Sequence, residues 1–161
     1  MKQGTVSLTF EQYNAIDELS TDDASLLYSA RQAIANAYAP YSGFRVGAAA
    51  KLSDGAIVTG SNQENASFPV GMCAERVLLG AVASLHINVA IQTIAITYDA
   101  STGNSDHPVA PCGLCRQSLL EYQNRTGKPI RLILAGMQGP VLIIGDASQL
   151  LPLAFSGEEL Q

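Results

Sequence analysis

The chain has 161 residues, 47% of them hydrophobic and 14% charged, with a net charge of −5 and a pI near 4.8. That length suits a single domain spanning residues 1–161 with its own core, and the acidic balance excludes a nucleic-acid polymer as partner, since phosphate backbones call for clustered Lys and Arg. No apolar run approaches the roughly eighteen residues of a membrane helix. The opening "MKQGTVSLTFEQYNAIDELS" carries acidic residues and no apolar signal core, so the reading is a cytoplasmic protein whose three cysteines stay reduced.

In chain order, "STDDASLLYSARQAIANAYAP" predicts a helix. Ser20, Thr21 or Asp22 can cap it, an apolar stripe runs through Leu27, Ala30, Ile34, Ala37 and Tyr38, and Pro40 stops it. "YSGFRVGAAAKLSDGAIVTGSN" holds two β-type runs around the turn Ser53-Asp54-Gly55, a hairpin pattern. A helix from about Cys73 to Leu85 follows, then a β-branched strand, "AIQTIAITYD". After the turn-rich "ASTGNSDHPVAP", a second cysteine-led helix runs from about Gly113 to Arg125 and is ended by Thr126-Gly127-Lys128-Pro129. "IRLILAG" and "PVLIIG" are short apolar strands, and "DASQLLP" begins as a capped turn. The order α-β-β-α-β-α-β-β-α predicts an α/β fold: a three-layer α/β/α sandwich around a mixed sheet of roughly five strands.

The chemistry concentrates at the starts of two helices. Cys73 opens one, and Cys112 and Cys115 open the other as a C-x-x-C pair. Helix N-termini favour thiolates, and two thiols three residues apart lie on one side of a helix. A third thiol from the other helix leaves one tetrahedral position of a zinc ion open, the mark of a catalytic site. A redox pair or a structural zinc site is the alternative. Structural zinc wants a fourth ligand, yet there is no fourth cysteine, and His86 and His107 lack a ligand's spacing. Glu75, two residues after Cys73, is either a carboxylate that favours the helix dipole or a proton acceptor beside the open metal position. "C-A-E" followed by "P-C-x-x-C" is the arrangement of zinc-dependent deaminases.

With these motifs in view, the chain resembles the small cytidine deaminase family, homotetrameric zinc enzymes of pyrimidine-nucleoside salvage. "YSGFRVGAA", "NQENASFPVGMCAER", "PCGLCRQ" and "LLPLAFSGEEL" match the family in kind and order from Tyr41 to Leu160. The resemblance implies one zinc per subunit on Cys73, Cys112 and Cys115, with activated water attacking C4 of the cytosine while Glu75 moves protons. It also implies that Arg76 steadies the thiolates, with Arg116 as a weaker candidate for similar work. Asn62 and Glu64 would hold the ribose hydroxyls, Phe44 would line the pocket, and the Ala74 backbone N–H would bind the pyrimidine O2. Ala66, Phe68 and Phe155 match positions that neighbouring subunits contribute, Phe155 by stacking on the base, so active sites would be shared within a homotetramer. Phe68 stands where the family often has tyrosine, and the sequence assigns no role to "ASTGNSDHPVA".

The implied activity is hydrolytic deamination of cytidine, 2'-deoxycytidine or both, with no membrane partner. One alternative is a deaminase of a related cytosine nucleoside such as blasticidin S, which is not expected to carry the N-x-E pair present here. Another is a non-catalytic structural zinc domain, which has no use for Glu75.

Overall fold

The computed structural model describes residues 1–160. Its strands and α-helices run β1 (Glu11–Tyr13), α1 (Thr21–Ala33), β2 (Phe44–Leu52), β3 (Ile57–Ser61), α2 (Ala74–Leu85), β4 (Ile91–Ala100), α3 (Gly113–Thr126), β5 (Arg131–Ala135) and β6 (Val141–Ile144). The strands form one mixed sheet in the order β1-β6-β5-β4-β2-β3. β4 and β5 pair in parallel across the α3 crossover, and the other neighbours are antiparallel.

The helices lie on opposite faces, giving the three expected layers. Leu26, Leu27 and Ala30 of α1 pack on Ala49, Ala95 and Ile133. On the other side, Leu78 and Val82 of α2 and Leu119 of α3 pack on Ile94, Ile96 and Leu132. β4 and β5 are therefore covered on both faces, which is why they read as continuous apolar runs rather than alternating ones. Leu78, Val82 and Leu119 are fully buried, each such side chain stabilising the fold by about 1.5–3 kcal/mol.

The hairpin forms as expected, with Gly55 at φ +89° in its turn. Gly60 on β3 allows α2 to sit directly on the sheet. A Cβ there would lie 2.6 Å from the Ala74 carbonyl oxygen and 2.7 Å from the Leu78 nitrogen.

Two expectations need correction. The sheet has six strands, not five, because Glu11–Tyr13 adds to the edge as β1, pairing with Val141–Ile143 of β6. Glu11 and Gln12 are exposed and Tyr13 alone packs on the core, so backbone pairing and one aromatic hold the strand and leave no alternating hydrophobic pattern to read. The α1 stripe also ends early. The helix tightens at Ile34–Asn36 and becomes extended at Ala37 (ψ 133°). Tyr38 is 53% exposed and forms a β-bridge with Gln63 instead of continuing the helix.

Candidate metal and substrate site

Two helix N-termini converge on one point. Cys73 is the N-cap of α2 and Cys112 the N-cap of α3, and neither uses its side chain in a capping bond. Their sulfurs lie 3.7 Å apart. Cys115, in the first turn of α3 and fully buried, brings its Sγ to 3.5 Å from that of Cys112. All three sulfurs fall within 4.8 Å of one another. A tetrahedron with Zn–S bonds near 2.3 Å has edges of about 3.8 Å, so the spacing fits three corners of a zinc site. The partial positive charge of two helix ends favours thiolates there.

The electrostatics also fit a cation. A hydrogen bond from Cys115 is the main cause that brings the Cys73 thiol down to about 6, with the Arg76 charge helping. Cys115 is pushed up, first by that same hydrogen bond, then by burial and the neighbouring Glu75 charge. Three thiols and a carboxylate this close cannot all ionise unless a cation replaces the shared protons. Arg76 is half-buried beside Cys73. Arg116 fixes the approach to Cys112, donating from Nε to the Pro111 carbonyl at 2.8 Å and from Nη1 to Leu150 O at 3.1 Å.

Glu75 follows Cys73 by two residues on the first turn of α2 and is only 5% exposed. Burial pushes its carboxyl up from the ordinary range. The first hydrogen bonds of α2 run from the Arg76 and Val77 nitrogens to Cys73 O. The Ala74 N–H thus precedes the intrahelical ladder.

Glu75, Cys73 and Cys112 face a cavity of about 660 Å³. Its far side is built by the segment after β3. Gln63 and Met72 exchange backbone hydrogen bonds of 2.9 Å, which brings the start of α2 alongside Asn62 and Glu64. Both of those residues line the cavity, as do Phe44 and Phe68. Asn62 brackets β2: its Oδ1 accepts from Val46 N and its Nδ2 donates to Phe44 O, both at 2.8 Å. One amide N–H remains for other partners. The Glu64 carboxylate accepts from Tyr41 N at 2.9 Å, from Ser42 N at 3.3 Å and from the Ser42 hydroxyl. Those bonds, the hydroxyl first, hold its carboxyl below the usual range.

Two of the residues matched to neighbouring subunits stand outside this cavity. Ala66 is exposed. Phe155 is 59% exposed, and its carbonyl accepts from Gln117 Nε2 at 3.0 Å. Phe68 lies at the rim, 75% exposed, edge-on to Tyr41 at 5.9 Å.

Sequence reasoning missed one wall altogether. Tyr98 of β4 lines the cavity and stacks on Phe44, and Val109 and Ala110 line it from the loop that sequence left without a role. Only the β-branched run around Tyr98 could be read, and it announces a strand rather than a site. That loop is held from behind. Ser105 O accepts from Met137 N at 2.7 Å, an approach that needs Gly136, where a Cβ would sit 2.3 Å from the same oxygen.

Comparison with known proteins agrees with this geometry. Residues 20–127 match the model of the cytidine and deoxycytidylate deaminase zinc-binding region. The chain is 38% identical to a cytidine deaminase of Halalkalibacterium halodurans over 139 residues, covering 86% of this chain and 98% of that protein. It is 44% identical to a cytidine deaminase of Mycobacterium tuberculosis over 94 residues, 58% of this chain and 66% of the relative. Among solved structures, it superimposes on a cytidine deaminase from Burkholderia pseudomallei with a TM-score of 0.70 at 39% identity, covering 85% of this chain and 100% of the other.

Proposed function

The chain belongs to the cytidine and deoxycytidylate deaminase zinc-binding family, and from that premise we propose that it hydrolyses the exocyclic amine of cytidine, 2'-deoxycytidine or both. The observation that carries the reading is the cluster of Cys73, Cys112 and Cys115 beside buried Glu75 at one end of the cavity. The overall change adds water at C4 of the ring and releases ammonia, leaving a carbonyl where the amine was.

Zinc held by the three cysteines supplies the Lewis acidity that makes water nucleophilic near neutral pH. Glu75 takes a proton from the attacking water, delivers it to N3 of the ring and assists departure of ammonia. A carboxyl raised by burial is suited to both accepting and returning a proton, and such a group contributes a factor of about 10²–10⁴. The Ala74 N–H, at the positive end of α2, is placed to donate to the pyrimidine O2. Arg76 adds positive charge beside Cys73 and favours its ionised form.

At the far end Glu64 and the remaining Asn62 N–H hold the sugar hydroxyls, and Phe44 packs against the nucleoside. Among the described residues, the acidic and basic side chains lining the cavity are Glu64 and Glu75, both carboxylates. That lining suits an uncharged nucleoside better than a phosphorylated one, and it supports neither a nucleic-acid polymer nor a membrane partner.

Residues 1–161 are read as one catalytic domain of a cytoplasmic salvage enzyme that works as a homotetramer. Phe155 and Ala66 support shared sites, because each is exposed and outside its own chain's cavity. Phe68, exposed at the rim, would complete a neighbour's site as well as border its own. Activity that falls on dilution together with the assembled species in sedimentation supports this; a fully active monomer refutes it.

The deciding assay follows the absorbance change of deamination with cytidine, deoxycytidine and blasticidin S, with a chelator and Glu75→Gln alongside. Turnover of the first two, lost to the chelator and to Glu75→Gln while that variant retains zinc, is the expected result. Undiminished turnover by Glu75→Gln overturns the mechanism, and turnover of blasticidin S alone overturns the substrate.

A further inference from the structure

The wall that sequence left without a role carries an inference about specificity. Tyr98 is 3% exposed, and the side chain touches both sides of the cavity. Its ring lies parallel to that of Phe44, with centroids 4.9 Å apart and an interplanar angle of 20°. Its hydroxyl donates toward Asn104 O at 3.4 Å and lies 3.3 Å from His107 Nδ1. The His107 ring stands edge-on to it at 5.8 Å and is itself 3.1 Å from Asp106 Oδ1. Two and three residues beyond His107, Val109 and Ala110 line the cavity.

Phe44 sits at the start of β2, opposite Ala100 of β4, so its backbone is fixed by the sheet. The ring is not fixed that way. It needs a surface behind it, and Tyr98 supplies that surface. The other wall has no regular secondary structure at all. Its backbone is pinned outside by Met137 N on Ser105 O, and the Ala100 N–H donates to Ser105 Oγ at 2.9 Å. From the cavity side it meets the Tyr98 hydroxyl. One side chain thus spaces an aromatic ring on one side and a loop on the other.

We propose that Tyr98 is a positioning residue that sets the distance between Phe44 and the Val109–Ala110 wall, and so limits how large a pyrimidine ring the site admits. This rests on the deamination reading above. The hydroxyl stays protonated, since burial and then the Asp106 charge push the phenol above its ordinary value, and it remains a donor through the working pH range. Truncating the ring lets Phe44 settle into the vacated volume and widens the cavity. Removing only the hydroxyl leaves the stack in place and frees the loop.

The test measures kcat/KM for cytidine and for cytidine carrying a methyl group at ring position 5, in the wild type, Tyr98→Phe and Tyr98→Leu. Amide hydrogen exchange across residues 101–110 is followed in all three. Tyr98→Leu is expected to raise the ratio of methylated to unmethylated substrate about fivefold, the scale of losing one aromatic stack. Tyr98→Phe is expected to keep the ratio within about twofold of wild type while exchange in the loop speeds up, the weak hydroxyl contact being lost. General destabilisation lowers both substrates together and leaves the ratio unchanged, so the ratio separates positioning from mere structural support. A wild-type ratio in Tyr98→Leu, or unaltered loop exchange in Tyr98→Phe, overturns the proposal. Should Tyr98→Leu fail to fold, Tyr98→Met, whose flexible side chain fills irregular gaps, takes its place with the same rise in the ratio expected and a wild-type ratio overturning the proposal. A wild-type enzyme that turns over neither nucleoside sinks the deamination reading instead, with the loop anchoring judged separately by exchange.

Discussion

Glu75 and Glu64 face the same cavity, yet their surroundings push them in opposite directions. Glu75 is buried at the start of α2 and its carboxyl is raised by loss of water. Glu64 is clamped by the Ser42 hydroxyl and two backbone N–H groups and its carboxyl is lowered. A carboxylate short of solvent can exchange a proton during a reaction, whereas one saturated with donors stays charged and serves as a fixed acceptor. On the proposed reading the cavity has a reactive pole, where thiols and Glu75 lie together, and a gripping pole, where Asn62 and Glu64 first organise β2 and its approach.

The most severe way to test that division is to remove a thiol. Cys115→Ala is expected to abolish bound zinc and activity together, read by metal analysis and turnover, because two sulfurs cannot hold the ion as three do. Next comes Glu75→Gln, which should lower kcat by about 10²–10⁴ with zinc retained; a kcat within a few-fold of wild type would place the proton transfer elsewhere. At the other pole, Glu64→Gln should raise KM about tenfold with kcat changed by less than about threefold. A collapse of kcat to the Glu75→Gln level would erase the distinction between the poles.

A third carboxylate, outside the cavity lining, gives the smallest effect and a control. Asp23 pairs with Arg131 through bonds of 2.6 and 2.8 Å, with side chains 18% and 31% exposed. The Arg131 guanidinium holds the Asp23 carboxyl below its usual value. Its stabilisation is therefore complete above the unfolded carboxyl value of about 3.9 and is lost as pH falls through the lower folded value. Asp23→Asn should cost about 1–2 kcal/mol at neutral pH, or about 2–6 °C in Tm. Thermal melts should show that gap closing once the pH lies below the folded value, while kcat at neutral pH and moderate temperature is unmoved.

Sequence carried the reactive pole further than the gripping one. Cys73, Glu75, Cys112 and Cys115 declare themselves because thiols and a carboxylate at helix starts are chemically unusual wherever they occur, and two cysteine-led helices leave few ways to place three sulfurs. Asn62 and Glu64 are ordinary loop residues until their partners are seen, and apart from the Ser42 hydroxyl those partners are backbone groups of Tyr41, Ser42, Phe44 and Val46, which no side-chain pattern reveals. The loop after β4, residues 101–110, is illegible for a similar reason, since contacts with Met137 and Gly136 across some thirty residues fix it. Tyr98 reads as one more strand aromatic in "AIQTIAITYD". β1 leaves little trace because Tyr13 is its one side chain packed on the core, and the rest of its pairing is main chain.

Gly60 gives the site a dependence that none of its own atoms express. The first turn of α2 rests on β3 with no methyl group between them, and that resting height helps decide how far the Cys73 sulfur stands from the two on α3. A single methyl at position 60 would act as a shim under the helix. A screen for altered metal affinity could therefore return substitutions in a strand that holds no ligand, and a designer wishing to detune the centre has a handle outside the chemistry.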